Sequence, residues 1–484
     1  MIPSVIPNWI GGEERGAAGT LDKFAPHDGS RLCAFARSGA GEVEAAVAAA
    51  AAAQPAWADL TPVRRGQILA DVVAALKAAR EDMARVVAVE TGKSQKDALG
   101  EVGGAILQGE FFAGEGMRLY GRSLTSGMPG KYSHTIRQPR GVAGLIVPAN
   151  TPIANIAWKV FPALICGNAA VLKASEDAPA TAWLFARLAK EAGLPDGVLN
   201  VVQGTGLEAG GPLVEDGRVS VISFTGSTAV GRWIAERAGH RLARISLELG
   251  GKNPLVVCDD ADLDNAVRWA ALSAFSNAGQ RCAAASRIIV MDAVYDAFRD
   301  RLVERARALR LGIGDGDDFG PVINARQLAN ILATIERAKA AGANVLTGGE
   351  RLEDAAHAQG YYIAPTVIDG VDPGAELSCA ELFGPVTVLY RVKDFHEAVA
   401  LANATEYGLT AAIHTRNVDR AMHFGQKVRA GVVNVNIGTY GSEPHMPFGG
   451  FGASGNGTRE PGTEALDVYS EVKNISFVVD PGRL

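Results

Sequence analysis

The sequence lacks the features that would indicate a membrane protein or a nucleic-acid-binding protein. Its 484 residues contain no run of about 20 apolar residues, so no transmembrane helix is predicted. Lysine and arginine total 47 against 53 aspartate and glutamate, and the resulting net charge of −6 disfavours binding to a polyanion. We therefore expect neither a membrane nor a nucleic-acid partner.

Cysteine is also scarce. The five cysteines are Cys33, Cys166, Cys258, Cys282 and Cys379. Their number is odd and their spacing is wide, so neither a disulfide framework nor a metal site is predicted. Most of them are interpreted as small buried apolar residues. Residues 1–9 contain no basic stretch and no apolar run, so no leader peptide is expected and the predicted location is the cytoplasm.

What the chain does contain is typical of a globular α/β protein of two or three domains. An alanine-rich stretch at 45–53 and the stretch 63–91 are both predicted to be helical. Strands are predicted at 142–147, 169–172, 198–202, 219–224, 255–258 and 287–291. Helices are predicted between and after them at 153–164, 180–192, 228–238, 262–275 and 294–309. This alternation favours parallel sheets covered by helices on both faces.

Two β-like segments lie outside this pattern, at 125–138 and 472–479. A lone strand leaves its backbone N–H and C=O groups unpaired. We expect the two segments to pair either with each other or with another subunit.

Three glycine patterns could bind phosphate. Gly450-Phe-Gly452-Ala-Ser-Gly455 follows no strand and opens no helix, and Gly204-Thr-Gly206 has no third glycine at the required spacing. Gly226-Ser-Thr-Ala-Val-Gly231 follows a predicted strand and opens a predicted helix, where backbone N–H groups favour a pyrophosphate. An ordinary capped helix explains the same residues, and both interpretations stay open.

Cys282 and Glu248 are the candidate reactive residues. Cys282 follows a Gly-Gln turn and lies beside Arg281, although a lone cysteine is usually buried and inert. Glu248 lies between two leucines before Gly250-Gly251, and burial there would raise its pKa towards that of a useful base. From these residues alone, a structural role for each remains open.

Taken together and in order, several segments resemble the aldehyde dehydrogenase superfamily. The resemblance covers nearly the whole chain, and Glu248 and Cys282 stand 34 positions apart (282 − 248), which is the family spacing. The matching segments are Pro148-Ala-Asn150-Thr-Pro152, Lys173-Ala-Ser-Glu176, Phe224 to Gly231, Glu248-Leu-Gly-Gly251-Lys, Gly279-Gln-Arg-Cys282, Glu381-Leu-Phe383-Gly-Pro385 and Pro447-Phe-Gly-Gly450.

The resemblance implies a Rossmann-like cofactor domain, an α/β catalytic domain and a small β oligomerisation element. The corresponding ranges are 1–120 with 140–249 for the NAD-binding domain, 250–450 for the catalytic domain, and 121–139 with 465–484 for the oligomerisation element. It also implies a homodimer or homotetramer.

The resemblance also implies roles for individual residues. Cys282 attacks the aldehyde, Asn150 holds the oxyanion together with the Cys282 N–H, and Glu248 activates the water that releases the acid. Lys159 and Glu460 match a proton-exit path, or else they form a structural ion pair. The residues that match cofactor positions are Pro148, Lys173, Glu176, Gly226, Ser227, Gly231, Leu249, Glu381 and Phe383. A carboxylate at Glu176 favours NAD over NADP, because it repels a 2′-phosphate.

The substrate is the least constrained of these expectations. Where many members have Trp-Asn-Phe, this chain has Ala149-Asn150-Thr151, which predicts a roomier and more polar entrance. Arg281 precedes the nucleophile, as it does in relatives that act on ω-carboxy semialdehydes, and it could pair with a distal carboxylate or point away. We expect a polar or ω-carboxy semialdehyde, with an aromatic aldehyde as the alternative, and we place Arg281, Thr151, Trp158 and Tyr440 at the substrate.

Three other functions compete with this one. A CoA-acylating dehydrogenase would lack the counterpart of Glu248, and a structural protein that kept only the fold would tolerate loss of Cys282, Glu248 or Asn150. All three residues are present. A thiol hydrolase would need no cofactor motif, and ester cleavage without NADH formation would identify it.

Overall fold

The computed structural model describes residues 2–480 and 482. Its strands are β1 (Val5–Ile6), β2 (Asn8–Ile10), β3 (Glu13–Arg15), β4 (Thr20–Phe24), β5 (Arg31–Ala36), β6 (Ser123–Leu124), β7 (Lys131–Pro139), β8 (Val142–Ile146), β9 (Ala169–Lys173), β10 (Leu199–Val202), β11 (Val219–Thr225), β12 (Arg244–Glu248), β13 (Asn253–Val257), β14 (Ala285–Met291), β15 (Asn344–Thr347), β16 (Thr366–Asp369), β17 (Val386–Val392), β18 (Tyr407–Gly408), β19 (Thr410–His414), β20 (Val432–Val435), β21 (Phe451–Gly452) and β22 (Ser470–Val478). Its α-helices are α1 (Ala40–Asp59), α2 (Pro62–Ala78), α3 (Arg80–Thr91), α4 (Gln95–Glu115), α5 (Pro152–Ile165), α6 (Pro179–Glu191), α7 (Gly211–Glu215), α8 (Thr228–Gly239), α9 (Leu263–Phe275), α10 (Asp292–Arg307), α11 (Ala325–Ala340), α12 (Glu376–Cys379), α13 (Phe395–Ala402), α14 (Val418–Lys427) and α15 (Ala465–Tyr469).

The first large sheet has the strand order β12-β11-β8-β9-β10-β2-β3. The five strands from β12 to β10 are parallel, and β2 and β3 are antiparallel additions at one edge. Alternate residues of β8 enter different cores, with Leu145 packed in one and Val142 and Ile146 in the other. Both faces of the sheet are therefore covered, which is why these strands are continuous apolar runs in the sequence.

The second large sheet has the order β15-β16-β17-β14-β13-β19-β20 and is parallel except for β15. A separate apolar core surrounds it, and that core includes residues of α9, α10 and α11. The chain passes from the first sheet to the second between Glu248 and Asn253. The predicted α/β fold with parallel sheets is confirmed. The predicted domain ranges, and the cofactor-binding and catalytic roles assigned to them, stay predictions.

The two lone β segments pair with each other. β22 runs antiparallel to β7 over nine residue pairs, from Ser470 opposite Pro139 to Val478 opposite Lys131, and β6 adds a third strand. One face of this sheet carries exposed apolar side chains, including Tyr132 stacked on Phe477 with their ring centroids 5.7 Å apart. Residues 481, 483 and 484 of the predicted oligomerisation range 465–484 lie outside the described residues.

The helix predicted over residues 63–91 is two helices, α2 and α3, separated at Ala79. No glycine or proline marks this break. Both helices pack against α4, so tertiary contacts determine where the chain turns. Among the described residues, no helix combines the length and the apolar character needed to cross a membrane.

Candidate active site

A left-handed turn precedes Cys282. Asn277, Ala278 and Gly279 have φ values of 56°, 55° and 67°, a conformation that side chains with a Cβ rarely adopt. A Cβ at Gly279 would lie 2.1 Å from the carbonyl oxygen of Gly384, so only glycine fits there. The turn ends α9 and directs the chain into a cleft of about 560 Å³ that Cys282 borders.

Cys282 is half-buried at this cleft. The side-chain amide of Asn253 donates to the Cys282 carbonyl oxygen at 2.7 Å, and the Thr439 hydroxyl donates to the next carbonyl oxygen at 2.5 Å. Burial raises the pKa of the Cys282 thiol to about 12, and the negative charges of Glu381 and Glu248 raise it further. Deprotonation of the thiol is therefore disfavoured in these surroundings, and a nucleophilic role requires a change in them.

Asn150 lies on the loop between β8 and α5, at the carboxyl end of a central parallel strand. Its side-chain amide donates to the carbonyl oxygen of Gln280 at 3.0 Å, two residues before Cys282. The Asn277 side-chain amide joins this loop to the Cys282 loop. It donates to the backbone oxygens of Asn150 and Gln280, each at 3.2 Å. These contacts bring the predicted oxyanion residue and the predicted nucleophile to one cleft.

Glu248 ends β12 and is 4% exposed. Neither of its carboxylate oxygens has a hydrogen-bond partner. Burial raises the pKa of Glu248 well above its ordinary value, and the nearby charge of Glu460 adds to the shift. A Cβ at Gly449 would lie 2.8 Å from a Glu248 oxygen, so the absence of a side chain at Gly449 gives the carboxylate its space. A buried carboxylate without partners is a recognised sign of a functional site.

Glu460 is fully buried but has many partners. Lys159 Nζ lies 2.7 Å from one of its oxygens, and the Ser223, Ser246 and Tyr469 hydroxyls donate to the other at 2.7, 3.1 and 3.2 Å. Lys159 also donates to the Ser223 hydroxyl at 2.7 Å. The two residues predicted to form a proton path or an ion pair are therefore in contact, and the ion pair is present.

A second cleft of about 430 Å³ borders the first sheet near the start of α8 and is lined mostly by apolar side chains, among them Leu207, Phe224 and Trp233. Ser227 caps α8, with its hydroxyl accepting from the Val230 N–H at 3.4 Å. A Cβ at Gly231 would lie 2.5 Å from a methyl carbon of Leu249, so a larger residue there would have to displace the Leu249 side chain. The features predicted for the Gly226–Gly231 segment, a preceding strand and a following helix, are confirmed.

Lys173 and Glu176 lie together at the end of β9, beside the same cleft. Lys173 Nζ is 3.3 Å from a Glu176 oxygen, and the Gly206 N–H donates to the other carboxylate oxygen at 2.7 Å. Burial lowers the pKa of Lys173, and the Glu176 charge opposes that shift. Glu176 is thus held beside the cleft by a lysine and a backbone N–H, and its role at the adenosine ribose stays a prediction.

Glu381 lies between the end of β12 and the Cys282 loop, where its charge acts on the Cys282 thiol. One of its oxygens accepts the Gly251 N–H at 3.0 Å, and burial raises the pKa of Glu381 to about 7. Phe383, two residues on, has a positive φ of 57°. Pro148 lies in the β8–α5 loop with Asn150. The predicted cofactor positions therefore follow the carboxyl ends of the first sheet and continue to the Cys282 loop.

The predicted substrate residues Arg281, Thr151, Trp158 and Tyr440 all border the cleft that contains Cys282. The Arg281 guanidinium carbon lies 4.9 Å from the centre of the Tyr440 ring, and Arg281 Nε is buried without a partner. Trp158 packs edge-on against Phe448 with their ring centroids 5.4 Å apart. Arg281 therefore borders the cleft with its guanidinium over the Tyr440 ring, and its role towards a substrate stays a prediction.

Several residues at these clefts were not predicted from the sequence. Lys93 and Asn277 contact Asn150 from 57 and 127 positions away, and no local motif marks them. Two rejected glycine patterns also lie beside the site: Gly206 binds Glu176, and Gly449, next to Gly450, lies against Glu248. These contacts depend on chain segments distant in sequence, so the glycine patterns alone do not predict them.

Comparisons with known proteins agree with this geometry. Residues 13–475 match the model of the aldehyde dehydrogenase family. The chain is 37% identical over 473 residues to an α-ketoglutaric semialdehyde dehydrogenase from Bacillus subtilis, covering 97% of each chain. It is 39% identical to the succinate-semialdehyde dehydrogenase [NADP(+)] from Escherichia coli, covering 94% of this chain and 93% of that one.

Solved structures give the same result. The chain superposes on a betaine aldehyde dehydrogenase from Staphylococcus aureus in complex with NAD+ with a TM-score of 0.96 and 32% identity. The alignment covers 98% of this chain and 95% of that one.

Proposed function

This chain belongs to the aldehyde dehydrogenase family and is an NAD(P)-dependent enzyme of that family, and from that premise we propose that it oxidises an aldehyde to a carboxylic acid through Cys282 and Glu248. One observation carries the proposal. Glu248, a buried carboxylate without hydrogen-bond partners, lies close enough to the half-buried Cys282 for its charge to raise the pKa of the thiol, and the Cys282 loop is hydrogen-bonded to Asn150.

In the first step, the Cys282 thiol gives its proton to water in the cleft, and the resulting thiolate attacks the aldehyde carbon. A C–S bond forms, the carbonyl π bond breaks, and the carbonyl oxygen becomes an oxyanion. Asn150 has two amide hydrogens, and one of them is given to Gln280. The other, with the Cys282 backbone N–H, stabilises the oxyanion. A donor of this kind is worth about 10²–10³ in rate.

When bound, NAD(P)+ would supply the hydride acceptor for oxidation of the carbon attached to Cys282, which becomes a thioester. Leu207, Phe224 and Trp233 would hold the adenine in the apolar cleft, and the start of α8 at Ser227 would hold the pyrophosphate. Glu381 and Phe383 would hold the nicotinamide half. Glu176, already fixed by Gly206 and Lys173, would accept the ribose hydroxyls and disfavour a 2′-phosphate, which favours NAD over NADP.

In the last step, Glu248 takes a proton from water, and the resulting hydroxide attacks the thioester carbon. The C–S bond breaks, the carboxylic acid leaves and Cys282 is restored as a thiolate. The raised pKa of Glu248 makes it a stronger base than an exposed carboxylate. Lys159 and Glu460, next to Glu248, then pass the proton away from the cleft.

The substrate is proposed to be a polar or ω-carboxy semialdehyde. Support comes from Arg281, whose buried Nε has no partner and whose guanidinium is held over Tyr440 at the same cleft as Cys282. A distal carboxylate would supply that partner in a charge-assisted hydrogen bond. The B. subtilis and E. coli relatives are semialdehyde dehydrogenases by name. An aromatic aldehyde is the second candidate, because Trp158, Tyr440 and Phe448 also border the cleft.

The assembly is proposed to be a homodimer or homotetramer. Support comes from exposed apolar side chains on both faces of the β22-β7-β6 sheet. Tyr132 and Phe477 on one face and Val472 and Val478 on the other are each more than half exposed. Exposed apolar surface of this kind often lies at a protein–protein interface. The cytoplasmic location stays a prediction from the sequence.

The test is NADH or NADPH formation with α-ketoglutaric and succinic semialdehydes, benzaldehyde and an aliphatic aldehyde. We expect the carboxylated aldehydes and NAD+ to give the highest kcat/KM. Arg281→Ala should lower kcat/KM for the carboxylated aldehydes by roughly 10–10²-fold, the value of a hydrogen bond to a charged group, and leave benzaldehyde almost unchanged. Arg268→Ala is the matched control, because this exposed arginine stacks on Trp269 outside the cleft. A preference for benzaldehyde would contradict the Arg281 role.

A further inference from the structure

A buried ion pair lies behind Asn150. Lys93 precedes α4, Glu101 lies within α4, and their side chains are 8% and 6% exposed. Lys93 Nζ is in direct contact with a Glu101 carboxylate oxygen. Removing two charges from water is costly, so the pair needs further polar contacts to be maintained. None of the reaction steps proposed above uses either residue.

Those contacts all go to the Asn150 loop. Lys93 Nζ donates to the backbone oxygen of Asn150 at 2.6 Å. The other Glu101 oxygen accepts the N–H of Ile153 at 3.0 Å and that of Ala154 at 3.4 Å. Because α5 begins at Pro152, these N–H groups belong to its unpaired first turn, where a carboxylate is favourable. The ion pair thus holds the loop at both ends.

The orientation of the Asn150 amide is fixed from the same segment. Asn155 Nδ2 donates to the Thr151 backbone oxygen at 2.9 Å and lies 3.4 Å from Asn150 Oδ1. The Asn150 amide nitrogen is thereby turned towards Gln280 and the Cys282 loop. A shift of the Asn150 backbone would move this nitrogen directly, because the side chain has only two rotatable bonds.

We propose that Lys93 is a positioning residue that fixes Asn150 where the substrate oxyanion develops, an inference that rests on the oxyanion role of Asn150 proposed above. Its ammonium group contacts Glu101 and the Asn150 carbonyl oxygen, so its charge is already compensated. It therefore acts on the loop and does not serve as a free cation for a substrate carboxylate. Displacement of a catalytic donor by about 1 Å is enough to slow a reaction strongly.

The experiment compares two reactions of Cys282. First-turnover NADH formation at saturating aldehyde needs the oxyanion donor, whereas alkylation by iodoacetamide forms no oxyanion. Lys93→Met should lower the first-turnover rate constant about tenfold or more, since a direct donor contributes about 10²–10³. Its alkylation rate should stay within about twofold of the wild type. Lys77→Met is the matched control, because this lysine also pairs with a glutamate of α4, Glu110, but lies outside the cleft, and it should change neither rate.

A double-mutant cycle completes the test. In an Asn150→Ala background, Lys93→Met should cause no further loss of the first-turnover rate. If Lys93→Met leaves the fold unstable, Lys93→Met/Glu101→Gln removes the unpaired charge and should show the same loss. An equal decrease of alkylation and turnover, or losses that add in the cycle, would overturn the inference. A normal rate in Asn150→Ala alone would overturn the proposed oxyanion role as well, which distinguishes the two failures.

Discussion

Glu248 and Glu460 are neighbouring buried carboxylates with opposite surroundings. Glu460 is contacted by Lys159 and accepts hydrogen bonds from Ser223, Ser246 and Tyr469, whereas neither oxygen of Glu248 has a partner. The contacts of Glu460 offset the cost of burying its charge. No contact offsets that cost at Glu248, so its position is unfavourable for the fold and useful for taking a proton from water.

The comparison predicts that Glu248 contributes to chemistry and not to stability. Glu248→Gln should lower steady-state turnover by about 10²–10⁴, the usual contribution of a general base. First-turnover NADH formation should persist, because the thioester still forms. Rapid-mixing kinetics separate the two phases, and loss of both would contradict the assignment of Glu248 to the hydrolytic step.

Stability against pH gives a second test of Glu248. Its pKa is raised by folding, so between about pH 4.3, the ordinary value for glutamate, and its raised folded value the folded state binds more protons than the unfolded state. The free energy of unfolding attributable to Glu248 therefore decreases as pH rises through this window. Glu248→Gln should remove this decrease. The melting temperature of the variant minus that of the wild type should therefore increase as the pH is raised. A constant difference would indicate a partner that stabilises the charge.

The surroundings of Glu460 predict the reverse. Glu460→Gln leaves the buried Lys159 ammonium without its counter-charge, which should cost about 3–5 kcal/mol of unfolding free energy. Urea denaturation measures this loss. Glu460→Gln/Lys159→Met should recover much of it, because no unpaired charge remains. Unchanged stability in the single variant would mean that water replaces Glu460 at Lys159.

The same comparison separates what local sequence predicts from what it does not. The strands β8, β9 and β11 are predictable because they are buried on both faces of the sheet. A strand buried in this way must consist of consecutive apolar residues, and such a run is visible in the local sequence. The start of α8 at Ser227 is predictable because strand, glycine and cap are adjacent in the chain. Resemblance to a family supplied the candidate residues, and the structure brings Cys282 and Asn150 to one cleft.

Contacts between distant segments were not predictable. The pairing of β7 with β22 was one of two alternatives, because the sequence shows that a strand needs a partner without showing which one. The direction of Arg281 was open for a similar reason: Tyr440, which holds its guanidinium, is 159 positions away (440 − 281). Lys93 and Glu101 resemble any solvated charges on a helical segment until α5 is placed against them.

Ser246 offers the smallest and most local test, because it lies between Glu460 and the surface. Its hydroxyl is 3.1 Å from a Glu460 oxygen and 3.0 Å from the Thr458 hydroxyl, which in turn donates to the exposed Asn456. Ser246→Ala removes one of three hydroxyl donors to that oxygen, so we expect a loss of about 1–2 kcal/mol of unfolding free energy. Ser220→Ala is the control, because this hydroxyl on the same sheet contacts only backbone oxygens. If Ser246→Ala also slows turnover while Ser220→Ala does not, the chain from Glu460 through Ser246 and Thr458 carries protons. If it changes stability alone, the hydroxyl only helps to hold the buried charge of Glu460.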